Sequence, residues 1–527
     1  MLTNARRVLD RGRSGNWLGP LLFAAALAGY VMTAGGSMAT TDAVVAYDLT
    51  RQMVDHGSIA LSGDLIGNPA YQGVDGRFYS PFGLAQSVWN VPFYLAGRLA
   101  GRALAADPDK AEMVTKAVVT LGNTVPAALC VFVTWLFARR WSASRRAAVF
   151  VAAVVGFATS LWPYSKFGFN VPLSALLLVA AHYAAWRAAE GASRSYAWLS
   201  GIWIGCAILT RHEFAIAAGI LVCWLASGVR QHRWRVVAWW GAGLLPEVLL
   251  WAAYNLVRFG SPLDAGYLRD QVPAWGGSVL GGVIGLLLSP GASLFLYSPI
   301  AVLGVWALVR AGGAHARFAR FVLVEAAIFM LFYAQLGNWI GGRSYGPRYL
   351  VPFLPLICLP LTDWWLDGRG VKRRAAAVIA AFSLLVQVPG VLVDFATVRV
   401  THARQAEAPG RQGSAWHWDS APLVLNARAA VAAVPRVVRH LAGTEPRPRI
   451  AGRTGPADRA YSQQFAFSLD FWWIHLFYLG AWSARSAIAM GAALLLCFAL
   501  FSRAVWALAS RLDSSSDVGA GAGGVPG

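Results

Sequence analysis

The feature that most limits what this chain can become is an apolar run, repeated about twelve times, of nearly the length a bilayer requires. A spanning helix needs roughly 20 such residues, fewer where neighbouring helices shelter it. The runs fall at 18–35, 114–138, 146–163, 170–188, 196–211, 213–228, 236–256, 291–310, 319–337, 348–366, 374–394 and 486–509. A further piece, 278–290, suits a segment that dips into the membrane without crossing. Inside lipid the backbone amides must be satisfied within the chain, and runs of this length do so as helices. The sequence therefore predicts an all-α polytopic membrane protein. Composition agrees: 57% of the 527 residues are hydrophobic and 13% are charged, too little polar surface for a soluble domain.

The first run follows Arg6, Arg7, Arg11 and Arg13 with no evident cleavage site, which predicts an uncleaved first helix. Cys130, Cys206, Cys223, Cys358 and Cys497 all fall in apolar runs without metal spacing, so free buried thiols are expected. The net charge of +20 does not point to nucleic acid. The arginines sit mainly between apolar runs, where orientation signals and lipid contacts belong. Four short loops carry them: Arg139, Arg140, Arg145 and Arg146; Arg230, Arg233 and Arg235; Arg310, Arg317 and Arg320; Arg369, Lys372, Arg373 and Arg374. Counting runs puts all four on the side of the N-terminus. The positive-inside rule then gives a multi-pass protein of the cell (inner) membrane with both termini cytoplasmic. Two long loops face outward, 36–113 and 395–485. In the second, Trp472, Trp473, Tyr478 and Trp482 suit a membrane interface. Residues 510–527 read as a disordered cytoplasmic tail.

Polar residues concentrate on the outward side. Directly after the first run, "MATTDAVVAYDLTRQMVDHGS" (38–58) has helical character. Asp48, Arg51 and Asp55 recur at spacings of three and four and read as one solvated face with an ion pair. Asp42 lies apart from them, and two readings stand. Asp is a favoured helix N-cap, worth ~1 kcal/mol, and a carboxylate at the membrane surface is also a candidate base. Further on, "VDGRFYS" reads as a turn and a short extended piece, and 84–104 as an amphipathic surface helix. A second outward turn, "QLGNWIGGRSYGPRYLVPFLPL" (335–356), sets Arg343 and Arg348 around glycines and prolines. Guanidinium groups suit a phosphate, and glycine lets backbone approach a ligand. Snorkelling at the interface is the alternative for these arginines. Lys166 reads as a surface lysine. Arg211, His212 and Glu213 read as marks of an outward turn or as ionisable groups at membrane depth, and Asp264 as a turn residue.

"GRFYSPFGLAQSVWNVPFYLAGRL", "RFGSPLDAGY", "SPGASLFLYSPI" and "GGRSYGPRYLVPFLPL" follow in order behind an acidic residue just after the first helix. In this the chain, from the first helix to about residue 394, resembles the GT-C glycosyltransferases that use polyprenyl-phosphate sugars. These include protein O-mannosyltransferases and lipid A aminoarabinose transferases. The resemblance implies a GT-C-like transmembrane module over 1–394. It implies an inverting transfer on the extracytoplasmic face, from a polyprenyl-phosphate sugar to a hydroxyl of a cell-envelope glycan, lipid or protein. Asp42 would be the general base and a guanidinium would stabilise the departing phosphate. Relatives often carry Lys where this chain has Pro81, which moves the phosphate contact to Arg343, Arg348 or Arg77. Tyr79, Lys166 and Tyr345 are further candidate substrate contacts. No tight Asp–Glu pair follows the first helix, so no cofactor is expected and a divalent metal is possible but not indicated. A transporter or flippase is the rival reading, but no paired halves are visible.

Overall fold

A computed structural model describes the chain except residues 1, 63–70, 106, 192, 229–232, 267–274, 368–369, 406–414, 449, 451–463 and 522–527. Helix α1 (Leu2–Thr33) leads to α2 (Thr41–His56), which stops at Gly57 in the left-handed region (φ 61°). A two-strand hairpin follows, Tyr71–Gln72 against Phe78–Tyr79, then α3 (Ala85–Leu104). Asp107 caps α4 (Pro108–Gly122), which runs on into α5 (Thr124–Trp141). Ser144 caps α6 (Arg145–Phe157), and the short α7 (Leu161–Ser165) precedes α8 (Val171–Ala189). Then come α9 (Arg194–Thr210), α10 (Phe214–Gly228), α11 (Arg233–Phe259), α12 (Val279–Leu288), α13 (Leu294–Tyr297), α14 (Ile300–Arg310) and α15 (Ala316–Ala334). The run at 348–366 is broken by Pro352, Pro355 and Pro360 into a short 3-10 turn, α16 (Leu354–Cys358) and α17 (Leu361–Trp365). The chain ends with α18 (Val371–Leu392), α19 (Phe395–Gln405), α20 (Pro422–Ala442), α21 (Trp472–Tyr478) and α22 (Ala484–Gly521).

The protein is an all-α polytopic membrane protein. Among the described residues five helical stretches are long and apolar enough to cross a membrane: 108–141, 171–189, 233–259, 371–392 and 484–514. Four shorter apolar helices accompany them. In α8 89% of the apolar stretch is buried in protein, against 11% in α11 and 6% in α22. Thus α8 is the centre of the bundle and the other two present leucines outward, the arrangement lipid favours.

The basic loops meet at one end. Asp513 of α22 accepts from Ser144 Oγ (2.9 Å) and from the backbone N–H of Arg145 and Arg146 (2.9 and 3.0 Å). Trp141 donates to Asp363 (3.2 Å) and stacks on His315 at 4.3 Å. Arg317 covers the Trp224 ring at 4.9 Å.

Several expectations change. Asp48 is fully buried rather than solvated: it pairs with Arg51 (2.8 Å) and accepts from Ser62 N and Oγ (2.8 and 2.9 Å). The covering chain after α2 removes Asp48 from water, while Asp55 on the same face stays exposed and pairs with Arg98. Trp472 and Trp473 donate their indole N–H groups to the Val31 and Met32 carbonyls, each at 2.9 Å, and so tie the last loop to the free C-terminal carbonyls of α1. Helix α22 continues past 509 to Gly521, into the stretch read as disordered. Cys130 and Cys358 are buried, but Cys223 and Cys497 lie on outer faces; all five thiols are free.

Lys166 is not on the surface. Its ammonium is fully buried, pairs with Asp470 at 2.9 Å and reaches the Val393 carbonyl at 3.4 Å. Burial pulls the Lys166 pKa down and Asp470 pulls it back. His475 stands 3.5 Å from the other oxygen of Asp470. This cluster joins α7, the α18–α19 junction and α21. Removing one partner of a buried pair costs roughly 3–5 kcal/mol, while replacing both by apolar groups is near neutral. Lys166→Met is therefore expected to lower the melting temperature in detergent sharply, and Lys166→Met with Asp470→Leu to regain most of it. A double variant no more stable than the single would show that the pair does not hold this junction.

Candidate active site

The end of the bundle opposite the basic loops contains a cavity of about 670 Å³. Its polar wall begins at α2. Thr40 is extended (φ −115°, ψ 151°) and its hydroxyl accepts from Ala43 N at 3.3 Å, so Thr40 is the N-cap. The capping expectation for Asp42 is thereby corrected. Asp42 stands in the first turn with its carboxylate directed into the cavity.

Arg348 arrives from the other side, on the glycine-rich turn. Gly346 has φ 75°, and a Cβ there would lie 2.5 Å from Tyr297 Cγ, so only glycine fits the turn against that ring. Arg399 of α19 donates to the Gly342 carbonyl at 2.8 Å, and Tyr345 N donates to Tyr164 OH at 3.1 Å. The turn is thus fastened from two sides. It sets Arg348 Nη1 3.1 Å from Asp42 Oδ2, across 306 residues of chain. Arg343 lines the same cavity and is exposed at its rim.

A second ion pair faces the first. Arg211 contacts Glu213 through Nη2 (2.8 Å) and Nε (2.9 Å), and Tyr333 OH donates to the same carboxylate oxygen (2.9 Å). Tyr333 stacks on Tyr349 with centroids 4.5 Å apart. Arg211 and Arg348 each lie 5.0 Å from the centre of the Tyr349 ring. The two guanidinium groups therefore share an aromatic support, which holds cations in place without neutralising them. Between these residues His212 accepts from Trp251 Nε1 at 2.6 Å, and burial pushes its pKa down to about 4, so its ring is neutral at physiological pH. Asn170 completes the polar lining, while Ile216, Trp275, Phe332 and Leu336 make an apolar flank.

The structure brings Asp42, Arg343 and Arg348 together. It does not bring in the other candidates. Arg77 is 63% exposed on the hairpin turn and bound to Asp75 at 2.6 Å. Hydrogen bonds from Tyr79 and Arg77 hold the Asp75 pKa down at about 2. Tyr79 buries its ring and donates to Asp75 at 2.8 Å. Tyr345 is buried behind the turn with its hydroxyl on the Val386 carbonyl, and Lys166 belongs to the cluster described above. Asp264 accepts from Gly266 N at 2.8 Å as a turn residue does, and 267–274 lie outside the described residues. Sequence reasoning noticed Arg211 and Glu213 but gave them no place in the site; it set Tyr349 in the arginine turn, and it missed Asn170 and Tyr333. Among the described residues no three His, Cys, Asp or Glu side chains gather as metal ligands would.

No family model and no curated protein sequence matches the chain. Solved structures do. ArnT from Cupriavidus metallidurans in the apo state aligns over 95% of this chain and 78% of its own, with TM-score 0.51 and 15% identity. The chain shares the ArnT fold. The same protein bound to undecaprenyl phosphate aligns over 93% of this chain and 77% of its own, with TM-score 0.48 and 14% identity. The GT-C resemblance drawn from sequence motifs therefore holds at the level of the fold.

The capping assignment has a direct check. Thr40→Ala should lower stability by about 1 kcal/mol, whereas Thr40→Ser, which keeps a capping hydroxyl, should stay near wild type. A melting experiment in which Thr40→Ala leaves stability unchanged would take the cap away from Thr40.

Proposed function

We propose that the protein is a membrane glycosyltransferase that moves a sugar from a polyprenyl-phosphate donor to an acceptor hydroxyl on the extracytoplasmic face. The observation that carries this reading is the meeting of Asp42 and Arg348 inside one cavity at the end of the bundle away from the basic loops. A carboxylate and several guanidinium groups are the parts such a transfer requires. The acceptor hydroxyl loses its proton to Asp42 as it attacks the anomeric carbon. The bond to the phosphate breaks on the opposite face of the sugar, which inverts the anomeric centre, and the negative charge moves onto the phosphate. Arg348, Arg343 and Arg211 are placed to receive that charge. The apolar flank at Ile216, Phe332, Leu336 and Trp275 suits the first isoprene units of the lipid. The likeness to ArnT supports this chemistry through the fold.

The orientation belongs to the proposal. The clustered arginine loops favour the cytoplasm for their end, which puts the cavity outside. Single cysteines at Val74, 65% exposed, and at Ala432, also exposed, should react in intact cells with a membrane-impermeant maleimide. Labelling only after lysis would contradict an outward active site.

Activity is tested with a panel of polyprenyl-phosphate sugars in reconstituted membranes. Asp42→Asn should fold normally and lose ~100-fold or more in turnover. Arg348→Ala should weaken donor binding, and Arg348→Lys should restore it in part, since lysine returns the charge without the two-pronged geometry. A stable and fully active Asp42→Asn enzyme would remove the base from this scheme.

A further inference from the structure

The two guanidinium groups of the cavity are held in different ways. Arg211 and Glu213 are two residues apart on one turn, doubly bonded to each other and locked by Tyr333. Their side chains are 9% and 15% exposed. That pair is local and complete. Arg348 and Asp42 come from opposite walls and share a single contact of 3.1 Å, with 19% and 20% of their side chains exposed to the cavity. Arg348 Nε has no hydrogen-bond partner among the described residues. Its guanidinium rests against the Tyr349 and Phe169 rings, at 5.0 and 5.7 Å, so it is positioned by packing as well as by Asp42. Thr40, not Asp42, caps α2, and the carboxylate can therefore leave Arg348 without opening the helix.

The phosphodiester of a polyprenyl-phosphate sugar presents two non-bridging oxygens, against the one carboxylate oxygen Arg348 now holds, and it matches the guanidinium fork better. We propose that Asp42 and the donor phosphate compete for Arg348: the arriving lipid phosphate takes over the guanidinium and releases Asp42 to act as the base. This rests on the reading above that the cavity takes a polyprenyl phosphate. No covalent step is involved; one ion pair is exchanged for another. Without donor the base is engaged by Arg348, and with donor it is free to accept a proton. Donor therefore binds before the acceptor hydroxyl can be activated, and Arg211, fixed by Glu213, stays in place throughout.

The exchange has a counterintuitive signature, read by equilibrium binding of undecaprenyl phosphate to the purified full-length protein in lipid nanodiscs. Asp42→Asn removes the competitor, so it should bind the lipid phosphate about tenfold more tightly than wild type while losing turnover. Arg348→Ala should bind more weakly, and adding Asp42→Asn to it should bring no further gain, because the competition is for that one guanidinium. Asp42→Ala, with the same expected tightening, serves if the Asn variant does not fold. Unchanged or weaker binding by the Asp42 variants would overturn the proposal. So would an equal gain with and without Arg348, which is a general charge effect. Failure of the site itself looks different: wild-type protein would show no saturable binding of undecaprenyl phosphate.

Discussion

A guanidinium group within an apolar helix bundle must be matched by a carboxylate or faced by a ligand, because an isolated charge is too costly to keep away from water. The cavity end of this protein is arranged around that constraint. Arg348 and Arg211 stand on one aromatic support, and each is met by one carboxylate. The wall elements are placed accordingly: α2 brings Asp42, the α9–α10 turn brings Arg211 and Glu213, α15 brings Tyr333, and the glycine turn brings Arg348 and Tyr349. Charge is thus stored in the cavity in paired form. Among the described residues only the Arg348–Asp42 pair spans the cavity, with a single contact and exposure to the space between the walls.

The surroundings of the cavity fix those elements through contacts that also involve charge. Arg399 holds the glycine turn through the Gly342 carbonyl. Lys166 and Asp470 secure the junction from which α19 sets out, close to the Phe169 and Asn170 segment of the cavity wall. Trp472 and Trp473 fasten the same segment of chain to the end of α1, just before Asp42. The segment 395–485, where the sequence resemblance is least clear, is therefore through its described residues part of the frame that positions the site.

The apolar runs were legible as helical because length and hydropathy dictate it, but several are broken: 114–138 at Asn123, 146–163 at 158–160, 291–310 at 298–299 and 348–366 at its prolines. Asp42 and the arginines of the glycine turn were legible because polar residues at the mouths of spans are few. Their meeting was not, since no local pattern records a contact across 306 residues. Lys166 was misread for a similar reason. Its environment reads as an outward turn, and only the distant Asp470 makes burial tolerable. Arg77 drew attention beside a motif, yet its neighbour Asp75 already satisfies it on the surface. Thr40 could have been found: a threonine directly before the helical stretch carries the usual capping chemistry, and the more conspicuous Asp42 obscured it.

The central claim is that a lipid phosphate occupies the space between Arg348 and the Arg211 pair, with its chain leaving past the apolar flank. Its most direct test is an electron cryo-microscopy structure of the protein in nanodiscs loaded with undecaprenyl phosphate. The account predicts phosphate density within hydrogen-bonding reach of Arg348, isoprenoid density beside Ile216 and Phe332, and Asp42 turned away from the guanidinium. Lipid phosphate density elsewhere on the bundle, with the Arg348–Asp42 contact intact and the cavity empty, would contradict it.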